Sequence, residues 1–96
     1  MKTPEAKVKD RIKKLLNKHN VYYFMPVQTG LGSRTLDFLC CVNGKFLAIE
    51  AKAPDKYYTP QQECIARNIR NSSGKVLLID GSNYELLEEY LILWTK

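Results

Sequence analysis

Apolar positions recur along this chain with two periods. Val8, Ile12, Leu15 and Leu16 fall at i, i+4, i+7 and i+8, one apolar stripe on an otherwise basic segment, and predict a helix. Thr3-Pro4 opens it, threonine as N-cap and proline at the first helical position, and it ends over Asn17 to Asn20. Val21-Tyr22-Tyr23-Phe24-Met25 is aromatic and β-branched and reads as a strand closed off near Pro26. Leu36 to Val42 and Lys45 to Ala51 are apolar runs on either side of Asn43-Gly44, the strongest short hairpin marker, because both turn residues tolerate positive φ. Both runs are apolar on both faces, so the two strands are expected to be central and covered on two sides, with Cys40 and Cys41 as small core residues on opposite faces. Thr59-Pro60 repeats the N-cap logic, and Ile65 and Ile69 mark the core face of a helix that stops at Ser72-Ser73-Gly74. Lys75 to Asp80 is a buried strand, Gly81-Ser82-Asn83 a break, and Leu87, Tyr90, Leu91 and Trp94 the inner stripe of a last helix. The order is αβββαβα, without repeats or low-complexity segments, which makes residues 1–96 one α/β domain.

Composition narrows the class. An apolar share of 45% and a charged share of 26% are those of a folded globular chain. No apolar run approaches the roughly 18 residues that span a bilayer, and Met1-Lys2-Thr3-Pro4-Glu5 has no apolar signal region, so neither membrane nor secretion is expected. The cysteines (Cys40, Cys41, Cys64) form neither an even disulfide framework nor a zinc spacing, and a reducing cytoplasm is the simplest compartment. With His19 the single histidine, a site needing several imidazoles is excluded. The net charge is +5, and Lys2, Lys7, Lys9, Arg11, Lys13, Lys14 and Lys18 crowd the first twenty residues against Glu5 and Asp10 alone. Such a basic face suits a polyanion such as nucleic acid, or is simply a solvated helix.

The hairpin locates candidate chemistry. If Asn43-Gly44 is a two-residue turn, Val42 faces Lys45, and the same register sets Asp37 opposite Glu50 with β-carbons roughly 4.5–5.5 Å apart. Two carboxylates so placed among apolar neighbours repel one another unless something positive lies between them. A divalent cation of the magnesium or manganese type would do so, with Lys52, two residues beyond Glu50 on the same face, beside a water or a scissile phosphate. The bland alternative is an exposed Asp37 and a surface Glu50–Lys52 pair. Glu5 lies seven residues before Ile12, hence within about 20° of the apolar stripe, where it either reaches the same site or serves the helix dipole. Gln62 shares the inward face of the second helix but also completes a Thr59-x-x-Gln62 capping box, and position and capping compete for one side chain. Gln61, Tyr57 and Tyr58 are looser candidates for substrate contact. His19 is read as a helix-end residue favoured by the dipole, and Gly30 and Gly32 make no phosphate loop, since no Gly-Lys-Ser/Thr follows.

Asp37 followed by Glu50-Ala51-Lys52 on the next strand of a hairpin resembles the PD-(D/E)XK nuclease superfamily. The leading helix with Glu5 and the Thr59-Pro60-Gln61-Gln62 helix opening are similar to its VRR-NUC (virus-type replication-repair nuclease) branch over roughly residues 4–80. Leu36 stands where that family commonly has proline before the aspartate, and Gly32 is displaced from its usual place. The resemblance implies a restriction-endonuclease-like αβββαβ core, a mixed sheet flanked by helices, with the last helix as an addition. It implies a Mg²⁺- or Mn²⁺-dependent DNA endonuclease. Asp37, Glu50 and the Ala51 backbone carbonyl would hold the metal, Glu5 would complete its shell, Lys52 would orient water or stabilise phosphate, and Gln62 would position either. Lys13, Lys14 and Arg34 would contact the DNA backbone. Stand-alone members of the branch resemble homodimeric Holliday-junction resolvases, so a homodimer on branched or four-way DNA is expected, in the cytoplasm (a host's, if virus-encoded). A nicking or flap-type nuclease, or a module that binds nucleic acid without cutting, are the alternatives.

Overall fold

The first helix starts and stops where its local chemistry dictates. In the computed structural model, which describes residues 2–27 and 35–96, α1 spans Pro4–Lys18, with Thr3 accepting from the Ala6 N–H. It closes in a Schellman turn: the Val21 N–H donates to the Leu16 carbonyl, the Asn20 N–H to the Asn17 carbonyl, and Asn20 takes the left-handed φ of 55°. The strands are β1 (Tyr22–Phe24), β2 (Phe38–Val42), β3 (Lys45–Ala51) and β4 (Lys75–Ile79), and the remaining helices α2 (Pro60–Asn71) and α3 (Tyr84–Trp94). The chain order is αβββαβα, as the periodicity predicts.

The sheet order is β1-β2-β3-β4, antiparallel between the first three strands and parallel between β3 and β4, which α2 connects as a crossover. This is a mixed α/β sheet with three helices. The hairpin register is the expected one: Val42 pairs with Lys45 and Phe38 with Ile49, around Asn43 at φ 51° and Gly44 at φ 82°. One face carries Phe38, Cys40, Val42, Leu47, Ile49, Leu77 and Ile79 against the α1 stripe and against Leu87 and Leu91 of α3. The other face packs Ala48 and Val76 against Leu36, Tyr58 and Ala66. Glu88 of α3 accepts from Lys18 (2.8 Å) and pairs with His19 Nε2 (2.9 Å), which pins α3 to the end of α1 and gives His19 its structural role.

Ile65 and Ile69 mark the core face of α2 as expected, partly buried and packed against the cluster that holds Ala66, its fully buried position. One core expectation needs correction: Cys40 is buried, its thiol pushed up to about 12 by desolvation, but Cys41 is exposed. The cluster around α2 gathers mainly β3 and β4 residues, and among the described residues no helix packs over the β1–β2 half of that face, where Cys41 stands. Apolar patterning marks both faces of β2 for burial, but it does not say how far a helix reaches across them.

Candidate functional site

Asp37 and Glu50 interlock across the hairpin just beyond the last paired residues of β2. The Asp37 N–H donates to Glu50 Oε1 (3.1 Å), and the Ala51 N–H donates to Asp37 Oδ2 (3.0 Å). Each carboxylate is thereby fixed by a backbone donor of the opposite strand, which holds both in one register. Glu50 is 3% exposed, the one buried charged residue among those described. Its Oε2 accepts from Gln62 Nε2 (2.9 Å) and lies 3.8 Å from Lys52 Nζ. Burial, first, and the Asp37 charge, second, push the Glu50 carboxyl up to about 7, with Lys52 pulling the other way. The exposed-pair alternative therefore fails: Glu50 and Lys52 are both largely buried.

Gln62 resolves the competition between capping and site in an unexpected way. Its Oε1 accepts from the Thr59 N–H (3.0 Å) and its backbone N–H donates to Thr59 Oγ1 (3.2 Å), while Nε2 donates to Glu50 Oε2. A carboxamide has a donor end and an acceptor end, so the two roles coexist, and the capping box is what aims the amide at the carboxylate.

Glu5 sits one step further out. It is 3.6 Å from Lys9, one helical turn on, and Lys9 Nζ is equally 3.6 Å from Asp37 Oδ1. Lys9 is the residue that reading the sequence missed. Its signal was the i,i+4 spacing from Glu5, which places both on the helix flank that meets the hairpin. Tyr58 is buried in the cluster under α2, whereas Tyr57 and Gln61 are exposed. Lys13 is part-exposed, 4.0 Å from Asp10, and Lys14 is exposed; Arg34, Gly30 and Gly32 lie outside the described residues.

The donors at this site are oxygens: Asp37 Oδ1, which accepts no hydrogen bond among those described, the remaining lone pairs of Glu50, and the strand backbone at Ala51. Such a set suits a hard divalent cation, and the Glu50 carboxyl, raised by burial first and by the Asp37 charge second, is one whose ionised form a cation would favour. Among the described residues no group of three or more His, Cys, Asp or Glu side chains is placed to hold a metal. A cation here would keep several waters, as Mg²⁺ commonly does on one or two carboxylates.

Comparison of the chain with family models, with curated proteins and with solved structures finds no match. Among the described residues no helix is long and apolar enough to cross a membrane.

Proposed function

We propose that this chain is a metal-dependent DNA endonuclease of the PD-(D/E)XK type, similar to the VRR-NUC branch and selective for branched DNA. One observation carries the reading. Asp37 and Glu50 are locked side by side by backbone N–H donors at the end of a hairpin, with Lys52 3.8 Å from Glu50 on the same face. The αβββαβ order, the parallel β3–α2–β4 crossover and α3 as an addition agree with the restriction-endonuclease-like core that the reading requires.

Asp37, Glu50 and the Ala51 carbonyl would hold Mg²⁺ or Mn²⁺, and Glu5, linked to Asp37 through Lys9, would complete the shell through water. Bound there, the ion supplies a Lewis acid for the scissile phosphate and charge compensation for the carboxylates. Lys52, largely buried beside Glu50, presents its ammonium to a phosphate oxygen or orients the attacking water, stabilising charge that develops during phosphoryl transfer. Gln62 fixes the Glu50 rotamer from the α2 terminus, so the carboxylate is pre-positioned before substrate arrives. The basic face of α1, with Lys13 and Lys14, supplies phosphate contacts that carry no sequence information.

The test is a cleavage panel of duplex, single-stranded, flap and four-way substrates with Mg²⁺, Mn²⁺ or chelator. Metal-dependent cutting lost in Asp37→Asn and Glu50→Gln is the expected result. Wild-type cutting by either variant, or cutting in chelator, overturns the reading. DNA binding with no cleavage on any substrate would establish the alternative, a module that binds nucleic acid without cutting.

A further inference from the structure

The half of the sheet that no described helix covers is an apolar surface with a shape. Tyr22 pairs with Cys41 and Cys41 with Phe46, while Phe24 pairs with Leu39, so these side chains share the face on which α2 lies. Tyr22, Phe24 and Phe46 are 74%, 56% and 46% exposed. Leu39 and Phe46 also form one wall of a groove of ≈ 620 Å³ whose other wall is Ile65 and Ile69 of α2. The face thus carries an aromatic ridge on β1 beside an apolar groove.

We propose that a second copy of this chain docks on this face, the β1 ridge of each protomer entering the groove of the other. A two-fold interface must be self-complementary, and a ridge and a groove side by side on one face meet that condition. Area supports it. Aromatic side chains bury about 150–250 Å² each, so the exposed parts of the three rings come to about 350 Å². That is a little under half of the roughly 800 Å² one partner contributes to a standard interface, before the Leu39, Ile65 and Ile69 walls of the groove are added. Charge selects a protein occupant over nucleic acid. The residues named are uncharged, whereas the basic α1 packs on the opposite face of the sheet, and single-stranded DNA needs cations beside its stacking platform. A dimer is an expectation of the proposed function; the surface on which it forms is the new element.

Sedimentation equilibrium of the full chain, without DNA or metal, tests this alongside Tyr22→Glu and Phe24→Glu, neither of which touches the Asp37–Glu50 site. The wild type is expected to be dimeric at tens of micromolar, and both variants monomeric with unchanged circular dichroism. A readout that needs no variant is alkylation by iodoacetamide. Cys41 on the face should be protected about tenfold as concentration drives association, while Cys64, exposed on α2, serves as the control. Folded variants that remain dimeric, or Cys41 labelled at a rate independent of concentration, overturn the proposed surface and leave the nuclease reading standing. A monomeric wild type overturns it too and removes the two-site element of that reading, whereas metal-dependent cleavage is scored separately. If that monomer binds oligothymidylate and Phe24→Glu does not, the face belongs to single-stranded DNA instead.

Discussion

Gln62 donates from Nε2 to Glu50 Oε2 at 2.9 Å while its own Oε1 accepts the Thr59 N–H at 3.0 Å. The start of α2 is thereby coupled to the buried carboxylate of β3, and a substitution at Gln62 should act on both. Gln62→Ala removes the capping acceptor and the carboxylate's donor together. We expect a stability loss of about 0.5–2 kcal/mol and at least a tenfold loss of activity, about 1.4 kcal/mol of barrier. Gln62→Glu separates them, because it keeps an acceptor for Thr59 but sets a third negative charge against Glu50. Thermal melts beside rates should show Gln62→Glu near wild type in cap strength and as inactive as Gln62→Ala. Retained activity in both variants would reduce Gln62 to a cap.

Much of this arrangement is legible in the sequence, and what is not has a physical reason. The facing of Asp37 and Glu50 follows from Asn43-Gly44 alone, because a two-residue turn leaves one register. The α1 stripe and the α3 stripe follow from periodicity, since a helix of that length buries one face. Lys9 and Cys41 did not follow. Whether Lys9 meets Asp37 depends on where the start of α1 crosses the hairpin, and whether Cys41 is covered depends on the width of α2's footprint. Both are packing relations between elements distant in the chain. A capping motif describes only one end of the amide, so the sequence alone presents capping and site contact at Gln62 as a choice.

The raised Glu50 carboxyl predicts a pH dependence of stability in the metal-free protein. Its ordinary value is 4.5 and its folded value about 7, so between these the native state holds a proton that the unfolded chain has released. Stability should therefore fall as pH rises through that window, by at most about 3 kcal/mol from this group. Denaturant melts in chelator at pH 5 and pH 8 measure it. Glu50→Gln should remove the slope and melt above wild type at pH 8, while Mg²⁺ should restore stability to the wild type alone. Equal slopes in wild type and variant would show that Glu50 titrates normally.

Lys9 stands 3.6 Å from Asp37 Oδ1, the carboxylate oxygen that a cation would share with it. Replacing it with a neutral side chain should ease metal entry and weaken DNA binding, because one positive charge leaves both. For a part-exposed pair the effect is of order 0.5–1 kcal/mol, a two- to five-fold gain in Mn²⁺ affinity for Lys9→Gln by calorimetry. Unchanged affinity would mean that Lys9 pairs with Glu5 alone in solution.

The end of α2 offers a test of the fold independent of function. The Gly74 N–H donates to the Ile69 carbonyl and the Ser73 N–H to the Arg70 carbonyl, a Schellman turn in which Ser73 takes φ 69°. Glycine adopts that φ without a steric cost, so Ser73→Gly should stabilise by about 0.5–1 kcal/mol. At Gly74 a Cβ would come within 2.7 Å of Ile69 Cγ2 and 3.1 Å of Phe46 Cδ1, and Gly74→Ala should destabilise by about 1–3 kcal/mol. Melts of the two variants with opposite signs confirm the turn; the same sign in both would not fit it.

The basic face of α1 predicts how DNA is held. Lys7, Arg11, Lys14 and Lys18 are exposed along the helix, with Lys13 part-exposed beside Asp10. In a symmetric dimer this charge acts twice, so affinity should fall steeply with salt as condensed counterions are released. Phosphate contacts carry no sequence information. Lys14→Ala should therefore weaken binding to duplex and four-way DNA alike and flatten the salt slope by about one to two counterions per dimer. Lys13→Ala should do the same but less, because Asp10 already draws on its charge. A junction preference, if the proposed resolvase reading holds, would have a different origin, the spacing of two sites across a two-fold axis, and should survive both substitutions while disappearing in Phe24→Glu if that variant is monomeric. Competition binding with unlabelled duplex at several salt concentrations reads both effects. A junction preference lost on removing Lys14 but kept in the monomer would assign selectivity to charge rather than symmetry, and with it the resolvase reading would fall.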